Sequence, residues 1–171
     1  MNRKIGFLVI ALLCAVSFSA TAQQAVKLGP LGFLFGNYNL RYEKALSEKG
    51  SWQVGANYYN YEIFDVTSTG FGLDAAYRNY FKEAMVGAYV SPALGFQTNT
   101  TSVSVFDDTS AGYSLLGLGV TLGYQWIGGG GFVTDLGLGY GYNVEVGKDD
   151  KLTGDFGGGG VRFTFAIGYA F

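Results

Sequence analysis

Hydrophobic and polar positions alternate strictly along residues 160–171 at the end of the chain. One face of this segment carries Val161, Phe163, Phe165, Ile167, Tyr169 and Phe171. The opposite face carries Gly160, Arg162, Thr164, Ala166, Gly168 and Ala170. A period of two predicts a β-strand. Bulky apolar residues on one face with small or polar residues on the other are typical of a strand in a closed transmembrane barrel.

The same alternation recurs upstream and predicts eight strands in all. The first is a short strand at 25–29, and clean alternation resumes at Gly36. The connections between strands are short at 46–51, 81–84 and 126–131, and longer at 62–69, 98–111 and 143–158. Residues 30–35 fit either a loop or a continuation of the first strand. Alternating short turns and longer loops, with an even strand number, predict an all-β, antiparallel, up-and-down transmembrane barrel.

Aromatic residues support this arrangement by their position along the predicted strands. One group lies beside the short turns or the C-terminus: Tyr42, Trp52, Tyr77, Tyr124, Trp126, Phe132, Tyr169 and Phe171. A second group lies toward the longer loops: Tyr38, Tyr58, Phe71, Phe96 and Tyr142. Aromatic side chains are also favoured in strands generally. Their clustering near strand ends indicates the two aromatic belts of a membrane protein.

The amino-acid composition narrows the class of protein further. Charged residues make up 14% of the chain, against about 25% in ordinary soluble domains. Beyond the N-terminus there is no apolar run long enough for a transmembrane helix. A closed barrel is the remaining structure that satisfies every backbone polar group inside a bilayer.

The N-terminus has the layout of a signal peptide. Arg3 and Lys4 precede an apolar stretch at 5–16, and a small-x-small site ends at Ala22. We therefore predict cleavage after Ala22, with a signal peptide at 1–22 and a barrel domain at 23–171.

Two alternatives to this processing are weaker. The first is lipoprotein cleavage before Cys14, the single cysteine, which is disfavoured by the bulky Leu13 preceding it. The second is an uncleaved anchor, which is disfavoured by the shortness of the apolar stretch.

The final strand resembles that of Gram-negative outer-membrane β-barrels, in which alternating aromatics end on a C-terminal Phe. The match rests on Tyr169 and Phe171. The resemblance implies that these two residues are an assembly signal, read by the barrel-assembly machinery.

Further stretches resemble a group of small, uncharacterised outer-membrane barrel proteins of the eight-stranded, OmpA/OmpX-like class. They are 30–43, Tyr77-Arg78-Asn79-Tyr80 and Gly87-Ala88-Tyr89-Val90. The resemblance covers nearly the whole mature chain. It implies a bacterial outer-membrane location in contact with membrane lipids and lipopolysaccharide, and it implies no shared activity. We expect a monomer that does not bind nucleic acid.

Charged residues also occur at positions predicted to face the barrel interior. They are Arg41, Glu43, Asp74, Arg78, Asp135 and Arg162. Eight strands leave an interior that side chains can fill, and buried ions must pair because an unpaired one costs several kcal/mol. We predict that these residues form a charge network that plugs the lumen. A narrow passive pore for ions or small solutes is the alternative.

The chain has no histidine, which excludes Ser-His and Asp-His catalysis. Related barrel enzymes carry a catalytic histidine, so we expect no enzymatic activity, although a carboxylate-only or lipase-like site is conceivable. We expect no cofactor and no soft metal site, because the mature chain has neither Cys nor His.

Acidic residues in the predicted loops suggest a hard-cation hypothesis. They are Glu62, Asp65, Asp107, Asp108, Asp149, Asp150 and Asp155. Of these, Asp149, Asp150 and Asp155 are the candidate ligands, because oxygen ligands suit Ca²⁺ and divalent ions can bridge carboxylates to lipopolysaccharide. The spacing matches no calcium loop, so a solvated acidic surface is the favoured interpretation.

The sequence therefore predicts a non-enzymatic, integral outer-membrane barrel with a structural or surface-interaction role. Besides the pore, the alternative fold is a soluble, calycin-like binding barrel. That barrel would have to fill its centre with aromatics and expose Gly, Ala and Thr to water.

Overall fold

The computed structural model describes residues 23–63, 66–103, 109–150 and 155–171. The predicted signal peptide, its cleavage site and Cys14 lie outside the described residues. So do Asp65, Asp107 and Asp108 of the predicted acidic loops.

The chain forms a closed, antiparallel barrel of eight strands, as predicted. The elements are β1 (Gln24–Leu28), α1 (Pro30–Leu34), β2 (Asn37–Ala45), β3 (Gly50–Ile63), β4 (Val66–Tyr80), β5 (Gly87–Val103), β6 (Thr109–Ile127), β7 (Phe132–Lys148) and β8 (Gly158–Ala170). Each strand pairs with the next, and β1 closes the barrel by pairing with β8. Within the described parts of the chain, no helix is both long and apolar enough to cross a membrane.

The strands extend further than predicted at the long-loop end. The predicted loops 62–69, 98–111 and 143–158 contain the ends of β3 to β7, and β7 continues to Lys148. Thr69 pairs with Thr100, and Thr101 pairs with Ala111. The polar composition of these segments predicted loops, but their backbone is paired. Threonine is favoured in strands although its side chain is polar.

Residues 30–35, which the sequence left unplaced, begin with the short helix α1. Pro30 starts it, which suits proline because the first helical position needs no hydrogen-bonded N–H. None of its residues is buried, and the helix joins β1 to β2 at the long-loop end of the barrel.

Burial separates the two faces of the barrel wall. The outer face carries exposed apolar side chains along every strand from β2 to β8; Leu118 is 59% exposed, Leu122 62% and Leu138 61%. The inner face carries small or polar residues, such as Gly117, Thr121 and Gln125. The apolar surface thus lies outside and the polar surface inside, the reverse of a soluble barrel.

Aromatic side chains on the outer face lie close together near both ends of the strands. At the short-turn end, the ring centroids of Tyr42 and Trp52 are 5.4 Å apart, and those of Tyr124 and Trp126 are 4.3 Å apart. At the long-loop end, Tyr38 lies 6.2 Å from Tyr58. Cross-strand pairing extends the first group from Trp52 to Tyr77.

Candidate functional site in the barrel interior

The short-turn end of the barrel is closed by Met85, from the turn between β4 and β5. Its side chain is wholly buried against Ala25, Val133 and Ala170. Met85 has a φ of 68°, a conformation that costs a non-glycine residue energy. Its carbonyl accepts a hydrogen bond from Gln125 Nε2 at 2.7 Å, which ties the turn to the barrel wall.

A cluster of four charged side chains lies directly inside this apolar layer. Lys27 Nζ is 2.5 Å from Glu43 Oε2 and 3.0 Å from Asp135 Oδ2. An Arg78 guanidinium nitrogen is 2.8 Å from Asp135 Oδ2 and 3.5 Å from Glu43 Oε2. Lys27, Glu43 and Asp135 are fully buried and Arg78 is 3% exposed. Two cations and two carboxylates therefore balance within one cluster.

Neutral residues complete the hydrogen bonding of both carboxylates. Glu43 accepts hydrogen bonds from Ser51 at 2.5 Å and Tyr80 at 2.7 Å, and Asp135 accepts one from Tyr89 at 2.7 Å. Gln125 Oε1 accepts from Lys27 at 2.8 Å. Buried ions are tolerated when they are paired and hydrogen-bonded in this way.

Tyr89, which borders the charged cluster, packs against an inward-facing glycine on the neighbouring strand β6. Arg78 lies over the Tyr89 ring, 4.3 Å from its centroid, a favourable cation–π distance. Tyr89 pairs with Gly123, and a Cβ at Gly123 would overlap the Tyr89 ring. The aromatic ring thus occupies the space that a side chain on β6 would fill.

Beyond the cluster, toward the long-loop end, lies a polar cavity of about 350 Å³. Asp74 lies over Gly55 and accepts a hydrogen bond from Asn57 at 2.8 Å. Arg162 donates one to Asn143 at 3.1 Å. Arg41 also lines this cavity, and Arg78 and Tyr89 line it on the side of the charged cluster. The cluster is therefore the floor of the cavity.

The six interior charges predicted as one network fall into two groups. Glu43, Arg78 and Asp135 join the buried cluster, whereas Arg41, Asp74 and Arg162 line the cavity. None of the ion pairs within the described parts of the chain involves the latter three.

Lys27 makes two of the four ion pairs of the buried cluster, yet it was not among the predicted interior charges. The sequence does contain the pattern that identifies Lys27 as an interior residue. Val26 and Leu28 alternate with Ala25 and Lys27, which places Lys27 on the inner face. The shortness of β1 hid this alternation. Tyr80, Tyr89 and Gln125 were missed as interior hydrogen-bonding residues because only charged residues were considered for the interior.

The predicted assembly signal lies at the closing seam of the barrel. Tyr169 pairs with Val26 on β1 and with Phe132 on β7. The Phe171 backbone exchanges two hydrogen bonds with Gln24, at 2.8 and 3.1 Å. The C-terminus is therefore held by the first strand.

Acidic residues of the last loop bind backbone amides. Asp149 Oδ2 accepts from Gly112 N–H at 2.7 Å, and Asp155 Oδ1 from Gly157 N–H at 2.8 Å. Among the residues that the structure describes, no group of His, Cys, Asp or Glu is arranged to hold a metal ion.

Residues 7–154 match the model of the family described as "Protein of unknown function (DUF3575)". The chain belongs to this family. No curated protein matches it. Among solved structures, it is similar to the translocator domain of the autotransporter NalP from Neisseria meningitidis. The identity is 14% and the TM-score 0.42; the match covers 96% of this chain and 67% of that one. The family description assigns no function. The features of this DUF3575 barrel that bear on its function are its interior and its outer surface.

Proposed function

We propose that this protein is a non-enzymatic, integral barrel of the bacterial outer membrane, with a structural or surface-interaction role and a lumen plugged by side chains. The observation that carries the proposal is the exposed apolar wall between two groups of aromatic residues. Soluble monomers rarely expose a contiguous apolar patch above about 600 Å². A bilayer removes this wall from water, and the aromatic belts then lie at its two interfaces.

The inverted distribution of polarity argues against the soluble, calycin-like barrel. Such a barrel would keep its apolar residues inside, but here Leu118 and Leu138 are exposed while Lys27 and Asp135 are buried. A charged, hydrogen-bonded interior with an apolar exterior is the arrangement expected when the surrounding solvent is lipid.

Closure of the short-turn end argues against the pore. Met85 and the apolar residues around it fill that end, and the four-charge cluster lies immediately behind. An ion crossing the barrel would have to displace both layers. We therefore favour a plugged lumen over a passive channel.

The remaining parts of the proposal follow from the sequence resemblance and the strand count. We propose export by a signal peptide cleaved after Ala22, insertion by the barrel-assembly machinery through Tyr169 and Phe171, and contact with lipid and lipopolysaccharide as a monomer. We propose no nucleic-acid partner. We also propose no catalysis, because the chain has no histidine for a Ser-His or Asp-His mechanism. The strand number agrees with the OmpA/OmpX-like class of outer-membrane barrels.

Membrane integration is tested by fractionation followed by electrophoresis of heated and unheated detergent extracts. We expect the protein in the outer-membrane fraction, with a mobility that changes on boiling because the barrel stays folded in detergent until then. Recovery solely from the soluble fraction would contradict the proposal.

Plugging is tested by planar-bilayer conductance of the wild type and of Arg78→Ala. We expect no discrete channel events in either, because Met85 closes the short-turn end in both proteins. Reproducible unitary conductance in the wild type would replace the plugged lumen with the pore.

A further inference from the structure

The interior cavity has the features of a ligand site, and we propose that it binds one small organic anion, a carboxylated or phosphorylated sugar. Arg41 and Arg162 would hold the anionic group. This inference goes beyond the proposed structural role and does not depend on which membrane surrounds the barrel.

The upper part of the cavity carries a net charge. The cluster at its floor is neutral, with Lys27 and Arg78 balanced by Glu43 and Asp135. Above the floor, Arg41 and Arg162 face a single carboxylate, Asp74. Tyr59 lines the same cavity as these three residues. Among the described residues above the floor, the cations exceed the carboxylates by one, and an anion would neutralise this excess positive charge.

The cavity also contains unused hydrogen-bonding capacity. Arg41 Nε is buried and has no hydrogen-bond partner among the residues that the structure describes. Gln53, only 4% exposed, also lines the cavity, and its Oε1 has none. Buried polar atoms are nearly always satisfied in folded proteins. An oxyanion would accept from Arg41, and a hydroxyl of the same ligand would donate to Gln53.

Arg162 has space on the cavity wall and is accessible from solvent. Its guanidinium lies against the inner surface of β6 and β7, where a Cβ at Gly141 would overlap it and a Cβ at Gly119 would lie 3.3 Å from it. Arg162 is exposed, so a solute can reach it. The cavity volume of about 350 Å³ falls within the usual range of small-molecule sites, about 300–1,000 Å³.

Aromatic rings near the cavity could contact the body of the ligand. Tyr59 lines the cavity and stacks on Tyr61, with centroids 6.0 Å apart. Further out, Tyr113 stacks on Phe156 at 4.2 Å. Rings with polar tips offer an apolar face and hydrogen bonds together, which matches a sugar better than an inorganic ion.

The test uses the full mature chain in detergent micelles, with glucuronate and glucose 6-phosphate as anionic probes and glucose as the neutral one. Binding is followed by the ¹⁵N–¹H resonances of the arginine Nε groups. We expect saturable shifts with at least one anionic probe and none with glucose. Separate titrations with the two anionic sugars distinguish a carboxylate ligand from a phosphate ligand.

Arg41→Met and Arg162→Met should each weaken this binding by about tenfold or more, because a charge-assisted hydrogen bond is lost. Lys44→Met is the matched control, since Lys44 is an exposed cation on the same strand as Arg41. Gly141→Ala is a second variant that displaces the Arg162 guanidinium without removing any charge, and it should weaken binding as well. Unchanged heat-modifiable mobility verifies that each variant is folded.

Four outcomes would overturn the proposal. The first two are that neither anionic sugar binds saturably, and that glucose binds as well as the anionic sugars. The third is that inorganic phosphate binds as tightly as glucose 6-phosphate. The fourth is that Lys44→Met loses as much binding affinity as the arginine variants. A soluble-fraction result in the membrane test would refute the proposed location and leave this titration unaffected, so the two failures are distinguishable.

Discussion

Lys27 Nζ lies 3.0 Å from Asp135 Oδ2, although 108 positions separate the two residues. Lys27 is on β1 and Asp135 on β7, and the two strands are connected through β8, which pairs with both. The ion pair therefore forms only when the barrel closes. It links the interior plug to the seam that completes the fold.

We expect Lys27→Met to be strongly destabilising. It leaves Glu43 and Asp135 with Arg78 as their one cationic partner in the cluster, and breaking a buried ion pair typically costs about 3–5 kcal/mol. The free energy of unfolding in urea, measured on the refolded barrel, tests this. Lys44→Met removes an exposed charge and should change stability by less than about 0.5 kcal/mol.

The buried cluster also predicts that substitutions at Lys27 and Glu43 have non-additive effects on the free energy of unfolding. In Lys27→Met/Glu43→Gln, one cation and one carboxylate remain, Arg78 and Asp135, which are 2.8 Å apart. The double variant should therefore lose less stability than the two single variants together, by about 0.5–3 kcal/mol. Strict additivity in a double-mutant cycle would show that the four charges do not act as one cluster.

Tyr89→Phe removes the hydroxyl that donates to Asp135 at 2.7 Å. A hydrogen bond to a charged group contributes about 1.5–3 kcal/mol, and we expect the unfolding free energy to fall by that amount. Tyr142→Phe is the matched control, because Tyr142 is on the outer face and 56% exposed. An equal effect of the two substitutions would mean that Tyr89 contributes only as a ring.

Met85→Ala should open a void at the short-turn end. Truncating a buried methionine costs about 2–5 kcal/mol, whereas Met85→Leu keeps most of the volume and should cost less than about 1.5 kcal/mol. Both replacements retain a side chain at the same positive φ, so backbone strain is matched between them. Thermal unfolding in detergent measures the difference, and indistinguishable variants would contradict the packing role of this residue.

Val120→Arg tests the lipid-facing wall. Val120 is 47% exposed and lies between Leu116 and Tyr124 on the outer face of β6. An arginine near the bilayer midplane costs about 2–4 kcal/mol, so we expect a lower yield of folded barrel in lipid vesicles. Gly129→Arg adds the same charge in a turn with open space around it and should insert normally. Equal insertion of both variants would argue that water, not lipid, surrounds the wall.

The alternation of residues along the chain was enough to predict the strand number, the order of short and long connections, and the orientation of most side chains. These follow from a local property: successive side chains of a strand point to opposite faces. The terminal strand illustrates this, since Phe163 is exposed on the outer face and Ala166 is buried inside. The aromatic pairs Tyr42–Trp52 and Tyr124–Trp126 lie beside the short turns, where their spacing placed them.

Tertiary structure alone decided which interior charges meet. Alternation assigns Arg41 and Glu43 equally to the inner face, yet Glu43 joins the buried cluster and Arg41 lines the cavity. The height of a residue inside a barrel depends on strand tilt and on the stagger of every pairing register. Those quantities are set by contacts between distant strands, so local sequence does not encode them.

The position of Met85 shows the same limit. Its sequence context marks only a short turn between two strands, and the closure of the barrel end by its side chain depends on where Ala25, Val133 and Ala170 converge. Those residues come from both termini and from β7, and they meet because the first strand pairs with the last. Local periodicity therefore fixes which face each side chain takes, whereas barrel closure fixes which side chains become neighbours.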